Sequence, residues 1–121
     1  MILIDDMISS GDTIIKIASL LKEKGAGRVY ICSTFGFFTD GLDKFDDAYK
    51  KGYFDKLLTT NLVYQSPELL EKPYYISCDM SKYIALIIDT LNHDQSVSHL
   101  LNPVDRIKRC VNNYMAQYDE K

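Results

Sequence analysis

Asp5, Asp6, Ser9, Ser10, Gly11, Asp12 and Thr13 crowd between two apolar segments in the stretch ILIDDMISSGDTI. A strand-to-helix connection needs only a polar cap and a glycine, so this one carries more polar chemistry than folding requires. Ser9, Ser10 and Thr13 can donate hydroxyl hydrogen bonds to an anion, and Gly11 lets the backbone approach it with no side chain in the way. A helix beginning near Gly11 or Asp12 adds unpaired N–H groups and the positive end of its dipole, a natural seat for phosphate. Asp5 and Asp6 repel phosphate. Carboxylates instead accept hydrogen bonds from neighbouring sugar hydroxyls, or draw in a Mg²⁺ that neutralises further phosphates. Acids at one end and a phosphate cradle at the other suit a ribose carrying a 5-phosphate. The plainer alternative is a capped helix following a solvated acidic pair, and residue types alone leave both open.

Regular elements must hold these residues in place. Residues 2–4 form a short apolar run that suits a buried strand. Residues 13–24 put Ile14, Ile17, Ala18 and Leu21 on one helical face, and the glycines at 25 and 27 stop the helix. RVYICSTF reads as a second strand, β-branched and aromatic. Strand, helix and strand in about 35 residues make a βαβ unit, so the two strands are expected to be parallel neighbours joined by a right-handed crossover. The pattern continues. GLDKFDDAYKKG is expected to be an exposed helix, KLLTTN a strand, PYYISCD a short strand, and the segment from Ser81 a helix with a stripe of Tyr83, Ile84, Ile87, Ile88 and Leu91. NHDQSVSHLLNP breaks the periodicity, and a last helix starts at Val104. The fold class is α/β with a mostly parallel sheet flanked by helices. In such sheets ligands bind beyond the carboxyl ends of the strands, where residues 5–13 fall.

Composition narrows the function. The 121 residues are 46% hydrophobic and 26% charged, enough apolar material for the core of one ordinary domain. A formal charge of −3 gives no basic footprint for nucleic acid. No stretch approaches the roughly 20 apolar residues of a membrane span, and the expected location is the cytoplasm. Cys32, Cys78 and Cys110 are odd in number and lack metal-site or redox spacing, so buried, reduced thiols are expected.

ILIDDMISSGDTI resembles the ribose-phosphate loop of the type I phosphoribosyltransferase fold, in particular that of the ribose-phosphate pyrophosphokinases, or PRPP synthetases. The resemblance continues through ASLLKEKGAGRVYICSTFGFFTDG and TTN to HDQSVSHLL, nearly the whole chain. It implies that Asp5 and Asp6 meet the ribose hydroxyls and that Ser9, Ser10, Gly11, Asp12 and Thr13 wrap the 5-phosphate. It implies Mg²⁺-dependent transfer of the diphosphoryl group of ATP to the 1-hydroxyl of ribose 5-phosphate, giving PRPP and AMP, in a homo-oligomer. Four residues depart from the family pattern. Ser9 stands for the usual acid, Ser10 for a threonine whose hydroxyl it keeps, Asp12 for a glycine, and Phe35 for a histidine common after the second strand. Asp12 weakens phosphate binding if its carboxylate faces the site, and favours the helix start if it points outward. The cationic loop and histidine that handle ATP in the family lie before the ribose-phosphate loop. Residues 1–121 are therefore expected to be the C-terminal portion of one phosphoribosyltransferase-like domain, a fragment with no catalytic residue of its own and inactive alone.

Two other readings compete. A response-regulator receiver domain also starts with an apolar strand ending in acids, and Lys72-Pro73 matches its late Lys-Pro pair; it requires a phospho-accepting aspartate after the third strand, where this chain has Thr59, Thr60 and Asn61. A non-catalytic phosphate- or nucleotide-binding homologue, regulating a partner, remains the alternative to the enzyme. Thr60 and Asn61 are weaker candidates for ligand contact. Asp46 and Asp47 read as a solvated helix face, His93 and His99 as solvent-facing, and the scattered tyrosines as packing.

Overall fold

The computed structural model describes residues 1–119, without the side chains of residues 99, 101, 118 and 119, so the expectation for His99 lies outside the described residues. Its contacts group into two compact units, Met1–Ser81 and a second from Lys82 onward.

The first unit is a parallel sheet with helices. Its elements are β1 (Ile2–Ile8), α1 (Asp12–Glu23), β2 (Tyr30–Gly36), α2 (Asp43–Lys50), β3 (Lys56–Thr60), α3 (Pro67–Leu70) and β4 (Tyr75–Cys78). The strands are all parallel and lie in the order β1-β2-β3-β4. Right-handed crossovers that always step in one direction put every connecting helix on the same face. The core follows from this. Leu3, Ile31, Leu57 and Tyr75 stand in register across the four strands and pack with Ile14 and Ala18 of α1, Phe45 and Ala48 of α2, and Leu69 of α3. The opposite row, Ile4, Cys32, Leu58 and Ile76, leaves Ile4 and Ile76 exposed.

Several expectations need correction. β1 is no buried strand: it forms an edge of the sheet, Ile2 and Ile4 are exposed, and it runs on to Ile8, taking Asp5 and Asp6 out of the turn. On α1, Ile15 packs against the core in place of Ile17, which is exposed. That helix ends in a Schellman arrangement, with the Ala26 and Gly25 amides donating to Leu21 O (3.0 Å) and Lys22 O (2.9 Å) and Gly25 at φ +89°. The segment α2 is amphipathic, with Phe45 fully buried. Asp46 is no solvated carboxylate. It accepts from the Tyr74 hydroxyl (2.8 Å) and from Lys72 (2.7 Å). Asp47 is exposed as expected. The three thiols are free, but Cys110 is exposed and Cys32 and Cys78 are only half-buried.

The second unit is helical. It holds most of α4 (Ser81–Asn92), with α5 (Ser98–Leu101) and α6 (Val104–Asp119). Within it the Tyr83 hydroxyl donates to Leu100 O at 2.8 Å, and the Arg106 guanidinium lies 5.0 Å from the Tyr83 ring centre. The expected stripe of α4 is largely open: Ile84, Ile88 and Leu91 are exposed, and Thr90 is the buried residue of that helix. No helix among the described residues is long and apolar enough to cross a membrane.

Candidate sugar-phosphate site

The turn that joins β1 to α1 is reduced to Ser9, Ser10 and Gly11. Gly11 is the N-cap residue of α1, at φ +84°, a left-handed conformation that glycine adopts without strain. No side chain caps this helix. Ser10 Oγ lies 3.5 Å from the Asp12 amide, beyond the usual range of a good N–H···O bond. The first-turn amides of a twelve-residue helix are thus left to face an incoming acceptor.

A cavity of about 220 Å³ opens in front of them. Ligand pockets for drug-sized molecules run to about 300–1,000 Å³, so this one has room only for something smaller. Its wall is made by Asp5, Ser9, Ser10, Gly11, Asp12 and Thr13, together with Met7, Ile8 and Ile14. Six of the seven residues singled out in the sequence are therefore together. Asp6 is not among the lining residues, because alternation along a strand puts neighbouring side chains on opposite faces. Its amide donates to Asp5 Oδ1 at 2.9 Å.

The turn is braced from α2 and the loop before it, thirty residues away in sequence. Thr39 N donates to Ser9 O (3.1 Å), the Thr39 and Ser9 hydroxyls are 3.3 Å apart, and Phe37 N donates to Ile8 O (2.8 Å). The buried Phe45 ring sits so close to Gly11 that a Cβ there would lie 2.1 Å from Phe45 Cζ. Lys44 Nζ bonds Asp12 Oδ1 at 2.8 Å and Asp40 Oδ2 at 3.0 Å, and Ser10 Oγ donates to Asp12 Oδ2 at 3.0 Å. The Lys44 ammonium, and then the Ser10 hydroxyl, hold the Asp12 carboxyl below the usual carboxylate range. None of Thr39, Lys44 and Phe45 stands out in the sequence. Only the GLDKF run, which puts a lysine and a phenylalanine in the first turn of α2, carries a local signal.

The weaker candidates are engaged elsewhere. Thr60 donates to Thr34 O at 2.6 Å, while Asn61 bonds Asp79 Oδ1 (2.8 Å) and accepts from Met80 N (2.8 Å), tying the ends of β3 and β4 together. Phe35 stacks near Phe37, with ring centres 6.2 Å apart.

Known proteins share this architecture and this stretch. The family model of the phosphoribosyl synthetase-associated domain matches residues 1–102. The chain belongs to the PRPP synthetase family. The ribose-phosphate pyrophosphokinase of Shewanella oneidensis is 32% identical over 101 residues, 84% of this chain and 31% of that protein. That of Vibrio parahaemolyticus is 29% identical over 101 residues, again 84% and 31%. The crystal structure of phosphoribosylpyrophosphate synthetase from Mycobacterium smegmatis superposes with a TM-score of 0.66 at 26% identity, covering 77% of this chain and 30% of that one. The chain thus spans about a third of the length of the PRPP synthetases it matches, and its parallel α/β sheet is theirs. By name the matched proteins of Shewanella and Vibrio are pyrophosphokinases, a class of transferase.

Proposed function

We propose that this chain is the sugar-phosphate-binding portion of a ribose-phosphate diphosphokinase, taking ribose 5-phosphate and PRPP in the cavity at the end of β1. The uncapped start of α1, opening onto a polar cavity, is the observation that carries the reading. In it the amides from Gly11 onward and the Ser9 and Thr13 hydroxyls hold the 5-phosphate, the Ser10 hydroxyl being given to Asp12, and Asp5 accepts from the ribose hydroxyls. Asp6, on the other side of the strand, serves from the rim.

The reaction of the family is attack of the ribose 1-hydroxyl on the β-phosphorus of ATP, releasing AMP. Positioning and charge neutralisation supply most of the catalysis in such transfers. Mg²⁺ would supply part of that neutralisation. It is commonly held by one or two carboxylates with phosphates and waters, and Asp5, in the cavity wall, would be the residue to hold it; among the described residues no group of three or more ligating side chains forms a cage. Developing charge also needs cationic groups. Among the described residues that line the cavity there is no lysine, arginine or histidine. On this reading the chain alone is a binding element, expected to be inactive in diphosphoryl transfer and to act in the cytoplasm as part of a homo-oligomer. The same lack of a lining cation favours, as a second reading, a regulatory homologue that binds the sugar phosphate without turnover.

Calorimetry with ribose 5-phosphate tests the site. The chain is expected to bind saturably, and Thr13→Ala to weaken binding by about tenfold or more, the worth of one hydrogen bond to a charged group. Unchanged affinity in that variant would sink the assignment. In a coupled AMP assay with ATP the chain alone is expected to stay at the blank rate, and turnover would overturn the inactivity.

A further inference from the structure

We infer that Lys44 is a positioning residue of the phosphate cradle: from α2 it holds the Asp12 carboxylate off the site and so permits an acidic residue at the mouth of an anion pocket. This rests on the sugar-phosphate reading of the cavity and adds to it a residue from outside the turn.

The problem comes from Asp12 itself. It is the first residue of α1 and lines the cavity, so an unpaired carboxylate there opposes any phosphate drawn to the same amides. Acidic residues in a first turn ordinarily stabilise a helix, because they meet its positive end, but the same position competes with a bound anion for that field. The structure answers with two contacts. Oδ1 accepts from Lys44 at 2.8 Å and Oδ2 from Ser10 at 3.0 Å, so each oxygen of Asp12 is engaged. Lys44 is itself fixed. Asp40, four residues earlier, holds it at 3.0 Å, and Phe45, the next residue, is anchored beneath Gly11. The ammonium is therefore delivered by the same helix turn that supports the backbone of the cradle.

The pair is half-exposed, with side-chain exposures of 41% for Lys44 and 65% for Asp12, so its direct effect on folding is small. Its effect on an anion is larger in proportion. Removing the lysine leaves the Asp12 carboxylate, in the cavity wall, with no neutralising partner from α2; Asp40 is not among the lining residues. Lys44 does not line the cavity, which separates this role from a direct contact with phosphate. A positioning lysine matters only while Asp12 is charged; a phosphate ligand matters whether Asp12 is charged or not.

A double-mutant cycle on the 121-residue chain decides the point, with ribose 5-phosphate and inorganic phosphate as probes in calorimetry. Lys44→Met is expected to weaken both about fivefold, the scale of an exposed ion pair, and Lys44→Arg to restore most of the loss. In an Asp12→Asn background Lys44→Met is expected to change affinity less than about twofold, since the charge it balances is gone. Urea midpoints of the single variants are expected to stay near that of the parent, since the pair is exposed. If the parent binds ribose 5-phosphate but Lys44→Met binds equally well, or weakens binding as much in the Asp12→Asn background as with Asp12 intact, the positioning role is wrong and the cavity assignment stands. If the parent does not bind at all, both fall.

Discussion

Replacing Gly11 by alanine puts the geometry of the turn to a quantitative test. Two separate penalties apply. At φ +84° a residue with a Cβ costs about 1–2 kcal/mol relative to its ordinary conformations. The new Cβ would also stand 2.1 Å from Phe45 Cζ and 2.7 Å from Cε2 of a ring that is fully buried. Overpacking of that kind costs about 1–3 kcal/mol. The sum is about 2–5 kcal/mol, a large fraction of the 5–15 kcal/mol or so that holds a typical domain together. Gly25→Ala supplies the control. Gly25 has nearly the same dihedral, φ +89°, but nothing within 4 Å of the added Cβ, so only the conformational penalty of about 1–2 kcal/mol applies. Urea denaturation followed by far-UV circular dichroism measures both, at equal slope with denaturant. Gly11→Ala is expected to lose more stability than Gly25→Ala by about 1–3 kcal/mol. Equal losses would refute the close seating of Phe45 under the turn, and with it the bracing of the cradle by α2.

Two further outcomes concern the body of the fold. Burial opposes ionisation of Asp46, but the bonds from Lys72 and the Tyr74 hydroxyl outweigh it and hold its carboxyl below the usual range. Because the folded value is depressed, this contribution is fully present above the unfolded value of about 3.9 and disappears as pH falls through the folded one. Asp46→Asn is expected to cost about 1.5–3 kcal/mol at pH 7 and progressively less below pH ~4 in urea titrations; a loss independent of pH would contradict the ion pair. On the outer edge of the sheet, Ile4 is 83% exposed on a strand whose free side can accept another strand. Ile4→Lys is expected to reduce self-association of the chain in sedimentation velocity, and an unchanged distribution would remove β1 from the interface.

Much of the fold is legible in the sequence because its pattern is local. The βαβ alternation, the start of α1 and the glycine stop at its end each rest on neighbouring residues, and the parallel sheet follows from them. Legibility ends where tertiary context decides. In sequence β1 stops at Ile4 because two aspartates look like a turn, yet an edge strand tolerates them with one face open. The segment α2 looks exposed because six of its eight residues are polar or charged, and only Phe45 and Ala48 are buried. The orientation of Asp12 has no local signal at all. It depends on Lys44, thirty-two residues on, reaching back across two elements. Asp46 is hidden for the same reason, its partners Lys72 and Tyr74 lying twenty-six and twenty-eight residues away.

The amides at the start of α1 are the most direct witnesses to the proposed cradle. In ¹H–¹⁵N correlation spectra of the chain titrated with ribose 5-phosphate, the resonances of Gly11, Asp12, Thr13 and Ile14 are expected to shift together, saturably and by more than those elsewhere in the sheet. Silence at those four positions, or a larger response anywhere else, would contradict a phosphate seated on this helix.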